Sequence, residues 1–156
     1  MLQASSGRKR FNVLGAINAI TYQLITVTNE TYINAESVCE LLQKIAHLNL
    51  TTPITLILDN ARYQYCKVVQ AKAADLNIEL VFLPPYAPNL NLIERLWRFI
   101  RKQCLYAKYY ENFADFKRAI ETCLAETDTK HQLALVSLLS LKFQDFRKLN
   151  LYRLYK

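Results

Sequence analysis

The sequence predicts an α/β fold, a mixed sheet flanked by helices, from two short apolar runs and the amphipathic segment between them. Ile54 to Leu58 (ITLIL) is continuously apolar, the mark of a strand covered on both faces. Roughly Gln64 to Leu76 has helical periodicity, with Tyr65, Val68, Val69, Ala73 and Leu76 on its inner face. Ile78 to Leu83 is a second apolar strand. Strand, helix and strand with short links form a right-handed crossover, which makes the two strands parallel neighbours.

The elements before this unit are of two kinds. Met1 to Arg10 is polar and ends in Arg8-Lys9-Arg10, a loop or the stub of a turn. Phe11 to Ile17 and Tyr22 to Val27 are β-rich around a polar turn, which predicts an antiparallel hairpin. Gly15, inside the first of these strands, signals a bulge or a close backbone approach. From Ala35 to Leu48, Val38, Leu41, Leu42, Ile45 and Leu48 recur with helical spacing. Asn34 is placed to cap that helix, and its acids precede its bases, as the helix dipole favours. Pro53 resets the chain before ITLIL.

Past Leu83, Pro84, Pro85 and Pro88 interrupt any regular structure, and Asn89 is positioned to cap the next helix. Helices are expected over about 89–108, 112–126 and 131–150, so the C-terminal segment reads as helical. No repeat, low-complexity stretch or linker divides the chain, and residues 1–156 read as a single domain. The four cysteines, Cys39, Cys66, Cys104 and Cys123, have no close pairing and are expected to be buried free thiols in a reducing cytoplasm.

Composition narrows the function. The chain is 52% apolar and 21% charged, which excludes a disordered protein. No apolar run approaches the ~18 residues of a membrane span, so no membrane partner is expected. A net charge of +7 and a pI near 9.3 point to a polyanion, most simply nucleic acid. The helix after the prolines carries Arg95, Arg98, Arg101 and Lys102, with one carboxylate, Glu94, near its start. Asp59 ends the ITLIL strand. Functional groups of open α/β sheets collect at such strand ends. With 34 residues between them, Asp59 and Glu94 have room to converge on a divalent cation, and hard oxygen ligands suit Mg²⁺ or Mn²⁺. A pair of such ions would clamp the two oxygens exchanged in phosphoryl transfer. Each carboxylate also has a plainer reading: Asp59 as a turn residue, Glu94 as an acid favoured by the helix dipole. Trp97 and Phe99 read as core and groove wall, Asp75 and Glu79 as solvated charges. His47 and His131 have no partner at ligand spacing.

The run LILDNARYQ (Leu56 to Gln64), followed by VFLPPYAPNLNLIERLWRFIRK, closely resembles the DDE/D transposases of the Tc/mariner superfamily, and within it the bacterial insertion-sequence branch. RKRFNVLGAIN (Arg8 to Asn18) looks like that family's second strand, and the resemblance covers roughly residues 8 to 125. It implies a ribonuclease H-like fold. It also implies metal-dependent DNA cleavage and strand transfer during transposition, with Asp59 and Glu94 as the second and third acidic ligands of two Mg²⁺ or Mn²⁺ ions. Asn60, Asn91 and Trp97 match supporting positions of the motif, and Arg95, Arg98, Arg101 and Lys102 become the DNA-binding face. The implied partners are transposon-end and target DNA, with a homodimer or an N-terminal partner fragment. The implied location is a bacterial cytoplasm, at the nucleoid.

Leu92 and Gln64 stand where the family often has proline and histidine. A larger departure is that the acids before Asp59 are Glu30, Glu36 and Glu40 alone, none of them on a strand at the site. The family's first catalytic aspartate lies on a central first strand. The chain therefore reads as an N-terminally truncated catalytic domain with that strand missing. The expected consequence is a gap of two strand spacings, ~10 Å, with two unpaired edges. The alternative reading is a DNA-binding remnant or regulatory fragment without catalysis.

Overall fold

The computed structural model describes residues 2–6, 9–84, 92–106, 108–139 and 150–155. Strand β1 (Leu2–Ser6) pairs antiparallel with β2 (Lys9–Asn18), and β2 with β3 (Leu24–Asn29) on its other edge. The β2–β3 hairpin matches its expectation, and Asn18 shapes its turn. The Asn18 side chain accepts from the Ile20 and Thr21 amides at 2.8 and 3.0 Å, and Tyr22 turns the chain at φ 62°.

Helix α1 (Ala35–Ala46) begins with Asn34 and Ser37 in a reciprocal capping box and buries Val38, Leu41, Leu42 and Ile45, the stripe read from the sequence. Strand β4 (Ile54–Leu58), helix α2 (Lys67–Asp75) and strand β5 (Ile78–Phe82) form the crossover, with β4 and β5 parallel. Helix α2 starts later than expected. Tyr65 falls in the turn before it and packs edge-on against Phe82, while Val68 is exposed. Of the expected inner face, Val69 and Ala73 are the fully buried pair, one helical turn apart. Asn77, at φ 55°, ends the helix and turns the chain into β5.

Helix α3 (Leu92–Ile100) runs on into a π-helical turn (Arg101–Leu105), and α4 (Phe113–Ala125) and α5 (Gln132–Leu139) come after it. Asn89 and Asn91 lie outside the described residues. Asn150, the end of the expected last helix, instead opens strand β6 (Asn150–Tyr155).

Strand β6 corrects the expectation of a gap. The sheet order is β1-β2-β6-β4-β5, with β3 on the far edge of β2. Strand β6 lies antiparallel to β2 over Gly15–Asn18 and parallel to β4 over Ile54–Leu58. The two facing edges, each a row of unpaired amides and carbonyls if left open, are closed by the last strand of the sheet.

Helices cover both faces. Leu14 and Ala16 of β2 join α1, α2 and β4 in one core, while Phe11, Val13 and Ile17 join α3, α4 and α5 in the other. This alternation is the period of two expected of a strand between two cores. The cysteine expectation is corrected as well: Cys104 and Cys123 form a disulfide joining the π-helical turn to α4, while Cys39 and Cys66 are free. Helix packing brings the two sulfurs together across a sequence separation of 19. None of the described helices is long and apolar enough to cross a membrane.

Candidate functional site

Asp59 follows Leu58 directly and is half-buried at the carboxyl end of β4. The Leu58 carbonyl accepts from the Leu83 amide at 2.8 Å, so the β4 and β5 ladder continues to that sheet edge. Glu94 lies in the first turn of α3, also half-buried. Leu92, Ile93, Leu96, Trp97 and Ile100 form the buried side of that helix. The sheet is notched to receive it at Gly15. A Cβ built there would lie 2.8 and 2.9 Å from the Cη2 and Cζ2 atoms of Trp97 and 3.3 Å from Ile93 Cδ1. Gly15 is therefore a close approach rather than a bulge, since its β2–β3 pairing with Thr26 is unbroken.

Side chains around these two carboxylates differ in role. Tyr63, in the turn after β4, has its phenol pushed up to about 12, first by burial and then by the negative charge of Asp59. Gln64 is fully buried beside the Tyr63 phenol, whose rise its side chain partly offsets, and its amide makes no other hydrogen bond among the described residues. Asn60 is exposed. Trp97 is fully buried, as core. On α3, Arg98 is exposed, as are Arg101 and Lys102 in the π-helical turn. Arg98 stands one turn from Glu94, on the same side of the helix. Arg95 is half-buried and donates to the Leu138 carbonyl of α5 at 3.5 Å, which ties it to a helix interface. His131, expected to have no role, packs edge-on against Phe99 and lies 3.8 Å from Glu126.

Among the described residues, no three His, Cys, Asp or Glu side chains converge to hold a metal. A cleft of about 530 Å³ between the π-helical turn, α4 and the start of α5 includes Lys108, Arg118, Lys130 and Glu126, but neither Asp59 nor Glu94 lines it. Tyr63 is the neighbour that sequence reasoning missed, and its only signal was proximity to Asp59 in the turn after β4. Gln64 stands out in the sequence only as a departure from the family's histidine.

A family profile described as DDE superfamily endonuclease matches residues 2–117. The chain belongs to the DDE superfamily of endonucleases. This family member is 38% identical over 60 residues to an uncharacterized protein, y4pE/y4sA, of Sinorhizobium fredii (strain NBRC 101917 / NGR234). That match takes in 38% of the chain and 42% of the relative. Among solved structures, the catalytic core domain of BIV integrase superposes with a TM-score of 0.58 at 16% identity, over 82% of this chain and 80% of that one. A chain of the simian T-cell lymphotropic virus intasome, in complex with PP2A regulatory subunit B56 gamma, superposes with a TM-score of 0.54 at 21% identity. It covers 76% of this chain and 41% of that one. At such identities the likeness is one of fold, and the fold is ribonuclease H-like.

Proposed function

We propose that this DDE endonuclease chain is the C-terminal part of a transposase catalytic domain of the Tc/mariner type, from a bacterial insertion sequence. Its chemistry is metal-dependent DNA strand cleavage and transfer. The observation that carries the reading is the setting of Asp59 and Glu94: two half-buried carboxylates, one past the end of β4 and one opening α3, the positions at which the sequence motif carries its second and third ligands. Their oxygens fit a hard divalent cation such as Mg²⁺ or Mn²⁺. When bound, such a cation neutralises phosphate charge and makes a hydroxyl a better nucleophile. The chain's own residues do the rest. Asp59 and Glu94 hold the cation. Arg98, Arg101 and Lys102 hold the DNA backbone by phosphate contacts, which give affinity and register without reading sequence. Tyr63, kept neutral, borders Asp59 without adding charge to it.

The second reading, a DNA-binding chain that does not cut by itself, has its own support. The β4–β6 register sets Leu58 opposite Leu154, so Asp59 is level with Tyr155. Strand β6 (NLYRLY) contains no Asp or Glu. The place at which the resemblance puts the family's first catalytic aspartate is thus taken by a strand without a carboxylate. Two carboxylates hold a cation weakly, and cleavage then requires another piece of protein.

Cation binding tests the site without requiring turnover. Titration with Mn²⁺, monitored by electron paramagnetic resonance, is expected to show weak binding that Asp59→Asn and Glu94→Gln each weaken at least tenfold. Equal Mn²⁺ binding by the parent and both variants would overturn the assignment.

A further inference from the structure

The two unbonded cysteines stand on neighbouring helices. Cys39 lies on α1 and Cys66 directly before α2, and those helices pack on one another. Both cysteines are half-buried, and both border one core with Val38, Leu42 and Val69. Burial pushes the Cys39 thiol up, the negative charge of Cys66 adds to the rise, Lys72 of α2 opposes it, and Glu36 adds a little more. A like charge acts in this way from nearby, so Cys39 faces the part of α2 where Cys66 stands. Cys66 is loosely held there. It takes the N-cap position of α2 with no side-chain cap bond, where Ser, Thr, Asp or Asn would supply one. Its Sγ instead donates to the Tyr63 carbonyl at 3.4 Å, and a thiol is a weak donor. That bond helps to close the turn that leaves β4 at Asp59 and carries Tyr63. The other two cysteines, Cys104 and Cys123, are buried and already joined.

We infer that Cys39 and Cys66 form a dithiol site for small disulfides of the glutathione class, whose closure to a second protein disulfide releases the turn after β4. Cys66 gives its proton to solvent and, as thiolate, attacks one sulfur of the small disulfide. A bond forms between them, the small disulfide's own S–S bond breaks, and one small thiolate leaves and takes up a proton. The Cys39 thiolate then attacks Cys66 Sγ. The Cys39–Cys66 bond forms, the mixed disulfide breaks, and the second small thiol departs. Two protein thiols are oxidised, and one small disulfide is reduced to two thiols. Burial disfavours the Cys39 thiolate, which suits it to the second step, where its target is already held beside it. A disulfide keeps its two Cα atoms within about 7 Å. The uncapped start of α2 is the part that yields to this demand, and in yielding Cys66 gives up the Tyr63 carbonyl. Tyr63 borders Asp59, so closure changes the surroundings of that carboxylate.

The test uses the full chain with its Cys104–Cys123 disulfide intact, incubated with glutathione disulfide and read by peptide mass mapping. The parent is expected to lose both free thiols and to yield peptides linked through Cys39 and Cys66, with no glutathione retained. Cys39→Ser is expected to stop at a stable glutathione adduct on Cys66. Cys66→Ser is expected to react at Cys39 at least tenfold more slowly. Free thiols that persist in the parent, or two separate glutathione adducts, would overturn the dithiol site. Hydrogen–deuterium exchange reads the turn. The Gln64 and Tyr65 amides donate to the Ala61 carbonyl at 2.9 and 3.0 Å, and they are expected to exchange at least tenfold faster after closure than before it. Unchanged exchange in the linked protein would refute release of the turn. Neither readout involves a cation or cleavage, so failure here leaves the carboxylate assignment untouched.

Discussion

Gly15→Ala probes the joint that seats α3 on the sheet. The added methyl carbon meets two Trp97 ring carbons at 2.8 and 2.9 Å, whereas comfortable carbon contacts lie at about 3.5–4.0 Å. The indole must withdraw by roughly 0.7 Å to restore that contact, yet it is fully buried, with Ile93 beside it. Overpacking of this kind costs about 1–3 kcal/mol. Stiffening of the unfolded chain by alanine returns about 0.4–1 kcal/mol. The expected net loss is about 1–2 kcal/mol, read as a lower urea midpoint with an unchanged slope. Trp97→Phe supplies the second arm. It removes the clashing part of the ring along with an indole N–H that has no hydrogen-bond partner among the described residues. In that background the cost of Gly15→Ala should shrink by at least about 1 kcal/mol, a coupling within the range of contacting residues. Equal costs in the two backgrounds, or a Gly15→Ala variant as stable as the parent, would refute the steric account.

The Tyr63 phenol, raised from an ordinary value near 10 to about 12, favours the folded state only while it stays protonated. Its contribution is complete below pH 10 and is lost as pH climbs toward 12, because the unfolded chain ionises first. Urea midpoints measured across that window should fall in the parent and fall less in Tyr63→Phe. Replacing Cys104 and Cys123 together by alanine opens a loop of sequence separation 19, and the chain-entropy argument gives a loss of about 3 kcal/mol, readable by denaturant titration of the oxidised parent against the variant. Replacing Arg98, Arg101 and Lys102 together by glutamine should reduce the slope of log affinity against log salt for duplex DNA by about 2–3. An unchanged slope, measured by fluorescence anisotropy, would exclude that face as the phosphate contact. Asn34→Ala should lower stability by about 1 kcal/mol through loss of the α1 cap, and a thermal melt would show it.

Local signals made much of this architecture legible in the sequence. Apolar spacing and the Asn34 cap defined α1, continuous apolarity defined β4, and strand–helix–strand order gave the parallel pair. These features are encoded within a few residues of where they act. Two of the misreadings involve partners distant in sequence. Cys104 and Cys123 meet because the π-helical turn packs against α4, and spacing alone gives no sign of that. NLYRLY carries no alternation that marks a central strand, and its conformation is imposed by two edges that need a partner. The site was half legible. Asp59 and Glu94 stand at a strand end and in a helix's first turn, as the sequence indicates. Arg95, grouped with the basic face by charge, is instead held at the α3–α5 interface, because helix rotation rather than composition decides which charges meet solvent.

The position of β6 also bears on how the chain is made. Strand β4 leaves the ribosome nearly a hundred residues before the strand that pairs with it on its inner side. At about 5–20 residues per second, that interval is roughly 5–20 s. Throughout it, β2 and β4 present complementary edges to any passing strand, including those of neighbouring nascent chains. The hazard for this protein is thus one of timing, and slower translation through the region between β4 and β6 should raise the share that aggregates during synthesis.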